Sequence, residues 1–107
     1  MKKLLQITLA ASVLVISAVQ AEKPASGIKA FEKGEYQTAL RLLVTEADNG
    51  STDALYALGL MHEYGLGIES SKSQAASYYF KGADISTKQN RLAEARVYAN
   101  AIERTVH

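Results

Sequence analysis

The feature that most constrains this chain is where its helix breakers fall. Gly34, Asn49-Gly50 and Gly65-Leu66-Gly67 interrupt a sequence otherwise rich in alanine, leucine, glutamate, lysine and glutamine. These are good helix formers, and no alternating β-branched run appears between the breaks. After Gly27 the chain therefore reads as helices joined by short turns, an all-α fold.

Each segment carries its own signals. Helix one is predicted from Ser26 to Lys33, stopping at Gly34. Helix two is predicted from Glu35 to Asp48, with Tyr36, Ala39, Leu40, Leu43 and Ala47 spaced along one face. Asn49 and Gly50 end it, because both tolerate a left-handed backbone. Ser51 or Thr52 can cap helix three, Asp53 to Tyr64, with Leu55, Leu58, Gly59, Met61 and His62 inward. The stretch "SKSQ" predicts a capping box, with Ser71 at the N-cap and Gln74 reaching back, opening a helix that runs to Asp84. "STKQ", Ser86 to Gln89, predicts the same device for helix five. That helix would turn Leu92, Ala95, Ala99 and Ile102 inward and fray toward His107.

The first 21 residues read differently. Lys2 and Lys3 precede an apolar run from Leu4 to Ile16, and Val19 and Ala21 supply small residues before Glu22. This is the layout of a secretory signal cut after Ala21. The run is short for a membrane span, which needs about 20 apolar residues. Residues 22–26, "EKPAS", would form a flexible lead-in, and 27–107 the folded domain. There is no cysteine, so neither a lipid-modified start nor a disulfide is available. Removing residues 1–21 takes away Lys2 and Lys3 and no acid, so the formal charge goes from +1 to −1. That balance lacks the basic face that nucleic acid requires. The expectation is a periplasmic or secreted protein with no stable membrane insertion after cleavage.

The helices also repeat. A shift of 36 residues sets Ala39 on Ala75, Leu43 on Tyr79, Ala47 on Ala83 and Gly50 on Ser86. A period in the thirties with two helices per unit signals a short α-solenoid of antiparallel helix hairpins. Asp53 to Ala83, "DALYALGLMHEYGLGIESSKSQAASYYFKGA", resembles a Sel1-like repeat. Ala54, Leu58, Gly59, Met61, Gly65, Gly67, Ile68, Ala75, Tyr79 and Ala83 carry the likeness. The preceding "AFEKGEYQTALRLLVTEADNG" resembles the opening half-repeat of such proteins, and the tetratricopeptide pattern through Gly34, Tyr36 and Ala39. The sequence departs from the pattern at His62 for tyrosine, Tyr78 for tryptophan and Gly82 for alanine. After Ser86 the pattern is lost, and helix five would be a terminal cap. The resemblance implies a protein-binding adaptor or regulator in the cell envelope.

Catalytic readings find little support. Gly65-x-Gly67 lacks the third glycine of a dinucleotide fingerprint and the glycine-lysine-serine of a P-loop. His62-Glu63 lacks the second histidine of a zinc-protease helix. Ser26 to Lys29, "SGIK", has the S-x-x-K form of serine acylases without their companion motifs. Asn49-Gly50-Ser51 has the form of a glycosylation sequon, but a helix end accounts for it. No catalytic residue, cofactor or metal is expected. His62 is expected to occupy the tyrosine's place in the core.

One surface stands out. Asp53, Tyr56, Leu60, Glu63 and Tyr64 form a second stripe on helix three, beside its inward face. Tyrosines with a few acids suit a contact surface for another protein or peptide segment. An immunity or inhibitor protein against a periplasm-directed toxin differs from this reading only in its partner. A small hydrolase of cell-wall or antibiotic substrates is the less favoured alternative, because no nucleophile–base–orienter set is present.

Overall fold

The computed structural model describes residues 26–107, so the signal-peptide expectation lies outside the described residues. Among these residues there are five helices and no strand: α1 (Gly27–Glu32), α2 (Tyr36–Asp48), α3 (Thr52–Tyr64), α4 (Lys72–Lys88) and α5 (Leu92–Val106). None of these helices is long and apolar enough to cross a membrane.

The breakers work as the sequence predicts. At Gly34 and Gly50 the chain enters the left-handed region, and paired bonds close the helix behind it. Gly34 N–H donates to Phe31 O and Glu35 N–H to Ala30 O; Gly50 N–H donates to Ala47 O and Ser51 N–H to Glu46 O. This is the Schellman arrangement, which satisfies carbonyls a helix end would leave open. The residue after each turn becomes the N-cap of the next helix. Three serines cap helices through their side chains: Ser26 accepts from Lys29 N–H, Ser51 from Ala54 N–H and Ser71 from Gln74 N–H. The capping box at Ser71 forms only by half. Ser71 N–H donates to His62 O at 2.7 Å, so the amide that Gln74 would have satisfied is already used.

The "STKQ" expectation is overturned. Helix α4 runs on through Ser86 to Lys88, and Ser86 is fully buried within it. Its hydroxyl donates to Glu94 on α5. The chain turns instead at Asn90, a non-glycine residue with φ 57. Asn90 N–H donates to Thr87 O and Arg91 N–H to Ser86 O, repeating the turn seen at Gly34 and Gly50.

Two hydrophobic clusters result. The first, among α1, α2 and α3, is aliphatic and small: Ala30, Ala39, Leu43, Ala54, Ala57, Leu58 and Met61. The second, among α3, α4 and α5, is built on Tyr79 and Tyr98 with Ala75 and Ala101. Both depend on missing side chains. A Cβ on Gly27 would enter Leu43, one on Gly59 would enter the Tyr79 ring, and one on Gly82 would enter the Tyr98 ring.

The buried face of α5 matches the prediction only at Ile102, which packs against the Tyr79–Tyr98 cluster. Tyr98, Ala101 and Thr105 are buried, whereas Leu92 is 65% exposed and Ala99 is exposed, with Ala95 and Ile102 half-buried. The pocket over Gly82 admits the Tyr98 ring, and its hydroxyl donates to the Thr52 carbonyl. Burying one large aromatic with its polar tip satisfied outweighs burying Leu92 and Ala99.

Candidate functional site

The loop Gly65-Leu66-Gly67 is a packing element. Gly65 closes α3 in the left-handed conformation, and its N–H donates to Met61 O. Gly67 sits against Tyr36, leaving no room for a Cβ, and its carbonyl accepts from Gln37 Nε2 at 2.8 Å. The loop is thereby docked onto the start of α2.

His62 is buried, as expected, with its ring stacked on Tyr78 at 5.3 Å between centroids. Its Nδ1 is enclosed without a hydrogen-bond partner among the described residues. Burial disfavours the charged imidazolium and lowers its pKa from the ordinary value. Among the described residues no group of three or more His, Cys, Asp or Glu side chains converges to hold a metal ion.

The stripe predicted on α3 divides. Asp53, Tyr56 and Leu60 line an open groove of about 330 Å³. Ile28, Phe31 and Glu32 of α1 form one wall, and Glu94, Val97 and Tyr98 of α5 the other. The floor is apolar and aromatic. Its rim carries three acids, Glu32, Asp53 and Glu94, and no basic residue among the described ones. Glu94 is shared with Ser86 and Arg91. Glu32 and Asp53 are exposed and form no ion pair among the described residues.

Tyr56 connects this groove to the core. Its ring lies 5.5 Å from Tyr79 and 5.6 Å from Tyr98, edge-on to the latter. Aromatic neighbours at such spacing hold one another in place. The groove's central side chain thus rests on a rigid support.

Glu63 is drawn away from the stripe. Its side chain is only 6% exposed and accepts from Tyr79 Oη at 2.7 Å. Arg104 donates to both carboxylate oxygens, from Nε at 3.1 Å and Nη2 at 3.0 Å. Burial alone would raise the Glu63 carboxyl, but the hydrogen bonds from Arg104 and Tyr79, with the Arg104 charge, hold it below its ordinary value. The same enclosure, with Glu63 alongside, pushes the Tyr79 hydroxyl up. Burial likewise raises Tyr98. Glu63 is therefore an internal tie between α3, α4 and α5. Tyr64 is 59% exposed and lies off the groove.

Sequence reasoning missed the contributions of α1 and α5. Ile28 and Phe31 had no separate signal, being spaced like any short amphipathic turn. Val97 was legible only as an apolar residue outside the predicted inward set of α5. Arg104 sits 41 residues from Glu63, and nothing local marks that pair. Comparison with protein-family models, curated proteins and solved structures finds no match to this chain.

Proposed function

We propose that this is an exported helical-repeat protein, of the Sel1-like kind, that acts in the cell envelope by holding a segment of another protein rather than by catalysis. The observation that carries this reading is the groove. Three residues expected to make contact, Asp53, Tyr56 and Leu60, meet side chains from α1 and α5 around one open apolar depression. A volume near 330 Å³ is at the small end of binding pockets. It suits one or two anchoring side chains of a polypeptide.

The helix contacts support a stack of antiparallel hairpins. Tyr98 bonds the first turn of α3 and Arg104 bonds its last turn, so α3 and α5 run the same way with α4 returning between them. In such a stack alternate helices line one face, and here α3 and α5 share the groove. The rim supports a basic partner segment. With acids at Glu32 and Asp53 and no base, it favours a segment carrying an apolar side chain next to a lysine or arginine.

The test is a binding assay with the protein purified from its own envelope fraction after crosslinking. Leu60→Asp should abolish recovery of the captured partner, and Glu32→Lys with Asp53→Lys should reduce it and its salt dependence. Capture that survives Leu60→Asp in a folded variant would contradict the assignment.

A further inference from the structure

Much of the stripe that sequence periodicity turns inward on α5 is left outside, and only Ile102 also packs against the Tyr79–Tyr98 cluster. Leu92 and Val106 are 65% and 64% exposed, Ala99 is exposed, and Ala95 and Ile102 are half-buried. Their spacing alternates three and four residues, the seam of a coiled coil. It lies on the flank of α5 away from Val97 and Arg104, which face the groove and Glu63.

We propose that this face of α5 pairs with α5 of a second copy of the chain, antiparallel about a two-fold axis between Asn100 and Ala101. In that register Ile102 of each copy meets Ala99 of the other, and Val106 meets Ala95, a large side chain against a small one in each layer. The charges select this partner and this direction. Arg96 and Glu103 flank the seam, both exposed, and neither forms an ion pair within the described residues. They are seven residues apart and so hold the same position in the repeat. Residues at one repeat position face each other across an antiparallel pair, whereas a parallel pair sets them against the adjoining flank. Here that flank includes the buried Tyr98 and Thr105. In the antiparallel arrangement Arg96 of each copy meets Glu103 of the other, giving two opposite-charge pairs by symmetry.

In that register the paired layers run from Ala95 to Val106, about 17 Å at 1.5 Å per residue. One helix on one helix is small beside the ~1,600 Å² of a standard interface, so the dimer is weak and concentration-dependent. It leaves both grooves open.

The test is sedimentation equilibrium of the purified chain over a wide concentration range, with circular dichroism confirming that every variant is folded. The wild type should show a monomer–dimer equilibrium. Ala99→Arg should give monomer throughout. Arg96→Glu or Glu103→Arg alone, each turning two attractions into repulsions, should weaken association on the order of tenfold. The double variant Arg96→Glu/Glu103→Arg should restore it. A monomer at every concentration, a dimer indifferent to the single reversals, or a double variant no better than either single would overturn the proposal. So would association that is lost when residues 1–25 are removed, because the face would then belong to that segment.

Discussion

The two halves of this domain solve the same packing problem with different chemistry. Around α2, Leu43 fills the space over Gly27 among alanines and Leu58. Around α4, Tyr79 and Tyr98 fill the spaces over Gly59 and Gly82. An aliphatic side chain needs only volume. A tyrosine brings a hydroxyl that must be satisfied when buried. That requirement recruits Glu63 to Tyr79 and the Thr52 carbonyl to Tyr98, and Glu63 in turn recruits Arg104. The second half is therefore tied through the polar tips of its core side chains, whereas the long-range polar ties of the first, Glu46 to Gly27 N–H and Gln37 to the Gly67 carbonyl, come from side chains that are not part of its aliphatic core. The groove lies where the halves meet, with Tyr56 resting on both tyrosines.

The largest expected effect separates volume from wiring. Tyr79→Ala should cost about 3–5 kcal/mol, as truncation of a buried aromatic does, and Leu43→Ala about 2–5 kcal/mol. Tyr79→Phe keeps the volume and removes one hydrogen bond to a carboxylate, for a loss of about 1.5–3 kcal/mol. Urea denaturation measures all three. Equal stability of Tyr79→Phe and wild type would remove the distinction between the halves.

Next is Glu63→Gln, which weakens the tie to Arg104 and Tyr79. Its destabilisation should be about 1–2 kcal/mol, the pair being open to solvent on the Arg104 side. The Glu63 carboxyl is held below its ordinary value, so its contribution is present above the unfolded pKa and is lost as pH falls through the folded one. Acid should loosen α4 and α5 before α1 and α2 in hydrogen exchange, and Glu63→Gln should erase that order. The raised Tyr79 and Tyr98 hydroxyls give the same half a loss of stability as pH climbs past about 10.

His62 gives a smaller effect at milder pH. Its folded pKa is lowered, so below about 6.5 the unfolded chain takes up a proton that the folded one resists. Thermal stability should decline as pH falls from 7 through that value and level off below the folded pKa. His62→Tyr should flatten the profile. The smallest effect compares turns. Asn90 stands where the first half has Gly34 and Gly50, all with positive φ. Asn90→Gly should stabilise by a few tenths of a kcal/mol, read as a small rise in melting temperature.

What was legible in the sequence was local. Gly34, Asn49-Gly50 and Gly65 mark real helix ends, Ser51 and Ser71 cap real helices, and the α2 and α3 inward faces follow their periodicity. What failed depends on pieces meeting from afar. "STKQ" has the form of a cap, but Ser86 has Glu94 to bond and Asn90 supplies the better turn. Leu92, Ala95, Ala99 and Ile102 form the longer apolar stripe on α5, yet the buried face is centred on Tyr98, because Gly82 and the Thr52 carbonyl await it, and of that stripe only Ile102 joins the cluster. Glu63 looks like a surface acid until Arg104 arrives.

We propose that the groove beneath Tyr56 and Leu60 holds a segment of another protein. A photo-crosslinking residue placed at Leu60, in living cells, tests it most directly, with one at Phe80 as control because that side chain is exposed and does not line the groove. A discrete crosslinked partner from position 60, absent from position 80 and carrying a basic residue beside the apolar attachment point, is the expected result. No adduct at Leu60, or the same adducts from both positions, would contradict it.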